Sequence, residues 1–209
     1  AFSPVGKLLA SGSQDHTIRL WSSQSNKNWT QTAILMGHSD MVGSVTFSPD
    51  GSLLASCSRD STIKLWSLDQ HSNNWTLTKT LNTQVPVNSV SFSADGNLLA
   101  SGLDDYTIKL WRRKTGNDGE RWTLDTILKG HTEMVTSVAF SLRGNMLAST
   151  SFDLSVKFWS RSDSSENTWA EIDMNEGPGH ANKIYTMAFS PDGTVLATGA
   201  SDAIVNVWS

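Results

Sequence analysis

The stretch "LLASCSRDSTIKLW" at residues 53–66 is a near copy of "LLASGSQDHTIRLW" at residues 8–21, and this likeness decides the fold. The tryptophan that ends each copy recurs along the chain at intervals of 45, 45, 48 and 49 residues. These markers are Trp21, Trp66, Trp111, Trp159 and Trp208. A phenylalanine stands 19 residues before each marker, so the spacing inside a unit is constant and the length varies only after the tryptophan. Self-similarity at a nearly fixed period predicts a repeat architecture.

Each unit has the residue pattern of short antiparallel strands. In the second unit a β-branched run ends at Phe47, "SPDGS" supplies a turn, and an apolar run follows at residues 53–56. Alternating apolar residues predict a third strand at 62–66 and a fourth at 75–81. We find no sustained helical spacing of three and four residues. The sequence therefore predicts an all-β chain of four-stranded antiparallel units in one domain, 1–209, with approximate units 1–36, 37–81, 82–129, 130–178 and 179–209.

Polar residues recur at fixed positions around the marker tryptophans. An aspartate lies six residues before each marker, a hydroxyl residue four positions before that aspartate, and in three units a histidine 22 positions before it. The sets are Ser11, Asp15, Trp21; His38, Ser56, Asp60, Trp66; Ser101, Asp105, Trp111; His131, Ser149, Asp153, Trp159; and His180, Thr198, Asp202, Trp208. The third unit has Asn82 and Thr83 where the other three have Gly and His.

This combination of recurring residues resembles the WD-repeat β-propeller family over essentially the whole chain. The resemblance implies a β-propeller of four-stranded antiparallel blades, with about five repeats present, the first and last of them incomplete. It also implies that the tryptophan, hydroxyl, histidine and aspartate form a hydrogen-bonded structural tetrad within a blade, incomplete in the third unit. Because seven blades are typical of the family, we expect an excerpt of a larger propeller, or an imperfectly closed ring able to associate through its open edges.

The resemblance also implies a partner-binding face, which bears the aspartate turns and the histidine loops. In this family the third and fifth residues after the histidine, and the residue before the aspartate, often point there. The matching positions are Gln14, Met41, Arg59, Pro86, Asn88, Asp104, Met134, Thr136, Phe152, Lys183, Tyr185 and Ser201. The set combines apolar and aromatic anchors with few cations, which favours a protein or peptide ligand over a phosphate backbone.

The sequence offers no credible catalytic, cofactor or metal site. Ser149, His131 and Asp153 have the residue types of a hydrolase triad, but the same set recurs in two other units, which favours an architectural role. The Gly-His pairs are too far apart for a zinc spacing, and no glycine pattern for binding phosphates or dinucleotides is present. His16 and His71 are expected to be solvated. We predict no enzyme activity, no cofactor and no metal.

Composition points to proteins as partners inside a cell. The net charge of −4 and the pI near 5.7 provide no basic field for nucleic acid. A single cysteine, no apolar run of about 18 residues and no signal-like N-terminus predict an intracellular, cytoplasmic protein without a membrane span, a nuclear location being left open.

The leading functional hypothesis is a non-catalytic scaffold that binds proteins or peptides through its loops and the central-channel face. The alternative is a sensor or regulatory repeat module of a larger signalling nucleotide hydrolase or other multidomain protein. A second recurrent set, Trp29, Trp75, Trp122 and Trp169, opens the fourth strands. Packing beneath the variable loops is favoured for these indoles over a second binding surface.

Overall fold

The structure is a computed structural model that describes residues 1–25, 28–69, 74–116, 119–142, 146–162, 168–172 and 179–208, with residues 24 and 25 described for the backbone alone. This part of the chain contains eighteen β-strands and no helix. The prediction of an all-β chain of antiparallel units is confirmed.

The strands form five antiparallel sheets in which neighbours along the chain are neighbours in the sheet. The first sheet contains β1 (Leu8–Gly12), β2 (Ile18–Ser25) and β3 (Asn28–Leu35). The second contains β4 (Val42–Phe47), β5 (Leu53–Ser58), β6 (Thr62–Asp69) and β7 (Asn74–Asn82). The third contains β8 (Val87–Phe92), β9 (Leu98–Leu103), β10 (Ile108–Gly116) and β11 (Gly119–Leu128).

The fourth and fifth sheets repeat this order. The fourth contains β12 (Val135–Phe140), β13 (Met146–Ser151), β14 (Val156–Arg161) and β15 (Trp169–Ile172). The fifth contains β16 (Ile184–Phe189), β17 (Leu196–Ala200) and β18 (Val205–Trp208). The predicted third and fourth strands of the second unit are confirmed as β6 and β7, and the first and last sheets have three strands each, as expected for incomplete repeats.

The turn between the first two strands of the second sheet follows from its sequence, "SPDGS". The Ser48 hydroxyl donates to Asp50 at 2.5 Å and accepts the N–H of Leu53 at 2.9 Å. Gly51 has a φ of 71°, in the left-handed region that glycine adopts without a steric penalty. These bonds fix the register of β4 on β5, which places Phe47 opposite Leu54.

Burial is graded across each four-stranded sheet. All six residues of β5 are buried, and so are all six of β9, whereas most residues of β7 are exposed. Strands buried on both faces read as continuous apolar runs, which explains why "LLASCS" does not alternate. The inner strands therefore supply the core, and the fourth strand faces solvent.

The chain divides into two compact units, residues 1–90 and 91–209, each with its own core. Within the first unit, a side-chain carbon built on Gly12 would lie 2.7 Å from a methyl group of Val42. Within the second, one built on Gly102 would lie 2.7 Å from a methyl group of Val135. In both units a glycine on the strand carrying the tetrad hydroxyl allows the next sheet to approach closely.

Candidate functional site

A hydrogen-bonded chain of four side chains runs through the fourth sheet. The Trp159 indole N–H donates to Ser149 Oγ at 2.9 Å, and this oxygen lies 2.8 Å from His131 Nε2. His131 Nδ1 lies 2.8 Å from Asp153 Oδ2. Because a carboxylate can only accept, Nδ1 carries the proton and Nε2 accepts from the serine. Every polar side-chain group of this four-residue network therefore has a partner.

The second and fifth sheets contain the same arrangement. In the second, His38 lies 2.8 Å from both Asp60 and Ser56, and Trp66 donates to Ser56 at 2.9 Å. In the fifth, His180 lies 2.9 Å from Asp202 and 2.8 Å from Thr198, and Trp208 donates to Thr198 at 3.0 Å. None of the three histidine side chains has exposed area, so all three hydrogen-bonded networks lie inside the protein.

The aspartate of each network anchors the loop that carries its histidine. Asp153 accepts the backbone N–H of Thr132 at 3.0 Å and the hydroxyl of Ser155 at 2.6 Å. Burial alone raises the pKa of Asp153, but the hydrogen bonds that the carboxylate accepts, led by the one from His131, outweigh it and hold the pKa well below its usual range. The carboxylate is therefore ionised at neutral pH and fixes the loop before β12 against the turn between β13 and β14.

Two sheets contain shorter versions of the network. Trp111 donates to Ser101 at 3.1 Å, and Ser101 donates to the carbonyl of Lys109 at 3.1 Å. Thr83, at the position of the histidine, is fully buried, and its hydroxyl oxygen lies 2.7 Å from the carbonyl oxygens of Ser61 and Val85. The threonine at this sequence position thus bonds to backbone carbonyl groups on both sides.

In the first sheet, the aspartate of the set faces an arginine. Trp21 donates to Ser11 at 3.1 Å, whereas Asp15 pairs with Arg19 at 2.6 Å and accepts from Thr17. Hydrogen bonds from Thr17 are the main cause that lowers the pKa of Asp15. This carboxylate is exposed, so its ion pair contributes little to stability.

The buried networks lack the access that a nucleophile requires. Ser149 has no exposed surface, and its oxygen is already bonded to both the indole and the imidazole. A substrate carbonyl cannot reach it without unfolding of the sheet, although the residue types match a triad. Within the described residues, no group of three or more His, Cys, Asp or Glu is arranged to hold a metal ion, and no helix is long and apolar enough to span a membrane.

Four of the predicted partner-face residues come together within residues 91–209. The Phe152 and Tyr185 rings pack edge to face, with centroids 5.2 Å apart and planes at 80°. The Lys183 ammonium lies 4.7 Å from the centroid of the Phe152 ring. Met134 accepts the N–H of Phe152 at 3.1 Å through its carbonyl and is half-buried. We call Met134, Phe152, Lys183 and Tyr185 the aromatic patch.

The family model for the WD domain, G-beta repeat, matches the chain five times, at residues 1–22, 29–67, 75–112, 122–160 and 174–209. The chain belongs to the WD-repeat family. The middle matches begin with the last strand of one sheet and end with the third strand of the next, so the WD sequence repeat is offset from the structural sheet by one strand. Propellers of this family generally act as protein-interaction scaffolds, and they are typically non-catalytic. A comparison with curated proteins found no match.

The other predicted face positions of this WD-repeat chain have mixed surroundings. Within residues 1–90, Gln14 and Arg59 are exposed, whereas Met41, Pro86 and Asn88 are half-buried. The N–H of Arg59 donates to the carbonyl of Met41 at 3.1 Å. Within residues 91–209, Asp104 is half-buried and Ser201 is exposed. The N–H of Ser201 donates to the carbonyl of Lys183 at 2.9 Å. The residue before the aspartate therefore lies beside the third residue after the histidine in the second, fourth and fifth sheets.

The Thr136 hydroxyl forms bonds within the protein. Its oxygen lies 2.8 Å from the carbonyl oxygen of Ile184 and 3.0 Å from the hydroxyl of Thr150. The bond to Ile184 joins β12 to the first strand of the next sheet, and the bond to Thr150 joins it to β13 of its own sheet. The hydroxyl is thus engaged within the protein, and Thr136 contributes to packing between WD blades.

The second recurrent tryptophan set packs on the phenylalanines. Trp29, Trp75, Trp122 and Trp169 contact Phe2, Phe47, Phe92 and Phe140, respectively, edge to face at 5.7–5.9 Å. Trp122 and Trp169 are buried, whereas Trp29 is 39% exposed. Trp122 and Trp169 thus pack within the protein, and a place beneath the variable loops stays a prediction for this set. His16 is exposed, and His71 lies outside the described residues.

Sequence reasoning missed one recurring member of the networks, the hydroxyl residue two positions after the aspartate. Thr62 donates to Asp60 at 2.6 Å and lies 3.2 Å from His38 Nδ1. Ser155 occupies the same place in the fourth sheet, with the same two distances. The signal was available, because Thr17 and Thr107 also stand two residues after an aspartate.

Proposed function

We propose that the protein is a non-catalytic scaffold that binds proteins or peptides through the loops of the face predicted to bear the aspartate turns. The observation that carries the proposal is the aromatic patch, where two rings and an ammonium group meet around Phe152. Tyr185 is 54% exposed and Lys183 is exposed. Aromatic residues are enriched in the core of protein interfaces, and tyrosine is among the residues that contribute most binding energy there.

The buried networks support this function by holding the patch in place. Phe152 immediately precedes Asp153, which bonds His131, and Met134 stands three residues after that histidine. Ser201 immediately precedes Asp202, and its N–H bonds the carbonyl of Lys183. Phe152, Met134 and Lys183 are thus one to three residues from a member of a buried network. A surface that is ordered before binding loses less conformational entropy on association.

The single cysteine supports an intracellular setting for this scaffold. Cys57 is fully buried as a free thiol, and no disulfide is required for the core around it. A cytoplasmic or nuclear location therefore belongs to the proposal.

Affinity capture tests the proposal. The purified protein and a Phe152→Ala, Tyr185→Ala double variant are each used to capture proteins from a cell lysate, with quantification by mass spectrometry. The matched control is Leu124→Ala, Ile127→Ala, which removes similarly exposed apolar groups from β11. Circular dichroism and thermal melting verify that all three proteins are folded.

The expected result is a set of proteins retained by the wild type and by the control but lost by the patch variant. The same captured proteins with all three would contradict the proposal. So would a turnover activity that disappears in a folded Ser149→Ala variant.

A further inference from the structure

We infer that the aromatic patch selects extended peptides in which an acidic residue lies within about three positions of a large aliphatic or aromatic residue. The inference rests on the proposed function and adds the chemistry of the partner. It follows from three properties of the patch: an ammonium group that pairs with no acidic residue among those described, an exposed ring near it, and the Phe152 ring that both of them contact.

The first property is the charge of Lys183. Within the described residues, Lys183 forms no ion pair. The aspartates nearest in sequence to the patch, Asp153 and Asp202, are bonded to histidines, and their side chains are only 8% and 6% exposed. The ammonium therefore remains available to a carboxylate from outside. The lysine ammonium is a compact positive charge with three donors, which pairs with a single carboxylate.

The second property is the order of the patch. The ammonium rests on the Phe152 ring at 4.7 Å, a cation–π contact that restricts an otherwise flexible side chain. The edge-to-face contact at 5.2 Å restricts Tyr185 in the same way. With Tyr185 more than half exposed, its ring can cover an apolar side chain of a ligand.

The third property is spacing. Both the ammonium and the Tyr185 ring contact the Phe152 ring, so one ligand segment can reach both. An extended chain advances about 3.3 Å per residue and directs residues i and i+2 to the same side. The ammonium and the Tyr185 ring centre each lie about 5 Å from the Phe152 ring centre, so they are at most about 10 Å apart. An acidic residue that meets Lys183 is therefore within about three positions of the residue that packs on Tyr185.

Glu133 provides a test of opposite sign. It is exposed and directly precedes Met134 in the sequence, so we expect its carboxylate to add negative charge near the patch. This carboxylate repels an acidic ligand and weakens its binding. Removal of the charge by Glu133→Gln is therefore expected to tighten acidic peptides, whereas Lys183→Met weakens them.

The experiment is selection from a displayed library of random twelve-residue peptides on the wild type, Lys183→Met and Tyr185→Ala. Enriched peptides are synthesised with a fluorophore, each in an acidic form and in a form with the carboxylate changed to its amide. Fluorescence anisotropy then gives the affinities of both forms for every variant, including Glu133→Gln. All three substitutions are at exposed positions, and thermal melting verifies folding.

We expect the wild type to enrich an acidic residue within about three positions of an apolar one. Lys183→Met should lower the affinity of the acidic form by up to about fivefold and leave the amide form unchanged, as for an exposed ion pair. The difference between the two forms should shrink at high salt. Tyr185→Ala should weaken both forms by about tenfold, as for a residue that carries binding energy.

The outcomes separate the two proposals. Enriched peptides without acidic residues, or an acidic preference that persists in Lys183→Met, would overturn the inference and leave the scaffold function standing. Weaker binding of acidic peptides to Glu133→Gln would also overturn it. No enrichment by the wild type, or enrichment that Tyr185→Ala does not change, would overturn both.

Discussion

The stability that the histidine contributes to a blade can be measured by removing the same buried hydroxyl group from a blade with the histidine and from a blade without it. Ser101 in the third sheet and Ser149 in the fourth sheet are equivalent positions. Both have no exposed surface, and both accept an indole N–H. Ser149 also donates to His131 Nε2, whereas Ser101 donates to a backbone carbonyl. The pair Ser149→Ala and Ser101→Ala therefore differs mainly by one imidazole.

The expected magnitudes follow from the groups left without a partner. A buried donor or acceptor that loses its hydrogen bond costs about 1–3 kcal/mol. Ser101→Ala leaves the Trp111 N–H unpaired, and the Lys109 carbonyl loses one donor, which costs less because a carbonyl has two acceptor sites. Ser149→Ala leaves both the Trp159 N–H and His131 Nε2 unpaired. We expect losses of about 1–3 kcal/mol for Ser101→Ala and about 2–5 kcal/mol for Ser149→Ala.

The assay is urea unfolding followed by tryptophan fluorescence, with the free energy of unfolding obtained by linear extrapolation. The slope of free energy against urea should be unchanged, since neither substitution changes the surface exposed on unfolding. Amide hydrogen exchange of β13 and of β9 locates each effect. Equal losses in the two variants, or a larger loss for Ser101→Ala, would refute the reasoning that the histidine is a partner in the network.

Three further predictions concern acid, thiol chemistry and packing. Burial lowers the pKa of His38, so below about pH 6.5 the unfolded protein binds a proton at this histidine more readily than the folded protein does. The contribution of His38 to the free energy of unfolding is therefore complete above about pH 6.5 and falls as the pH drops below it. Urea unfolding across that range should show a loss of stability that His38→Asn lacks. Burial raises the pKa of the Cys57 thiol to about 12, so a disulfide reagent should react with native protein only at the rate of unfolding, and fast labelling of the folded protein would contradict this. Gly102→Ala should cost about 1–3 kcal/mol in melting experiments because its new methyl group meets Val135, whereas the control Gly116→Ala, with nothing within 4 Å, should change stability by less than about 0.5 kcal/mol.

The repeated part of the protein could be predicted from the sequence because its causes are local. A serine, a proline and a glycine at fixed spacing produce a turn, and an apolar run on each side produces the two strands that it joins. The turn at Ser48–Gly51 and the strand β7 were therefore predictable to within a residue or two. The membership of the networks followed from the WD-repeat resemblance, since sequence spacing alone does not bring a histidine to a serine 18 positions away.

The remaining features depend on contacts between sheets, which no single repeat encodes. The Thr136 hydroxyl bonds the carbonyl of Ile184, 48 residues away. The position of Thr136 in its repeat predicted a place on the partner-binding face, but it could not predict this hydrogen bond. Likewise, the contact of Lys183 with Phe152 joins two repeats. Each of these interactions requires the sheets to be packed before it exists.

The same distinction indicates where specificity arises in this protein. The aspartates Asp60, Asp153 and Asp202 are equivalent and each bonds a buried histidine, so they contribute the same interaction in three sheets. The residues immediately before them are Arg59, Phe152 and Ser201, which share no chemistry. A rigid, repeated position therefore holds a variable neighbour at the surface. Because a repeated residue cannot distinguish one blade from another, we propose that recognition of a particular partner resides in the variable neighbours. Of these, Phe152 contacts a ring and a cation of the next repeat.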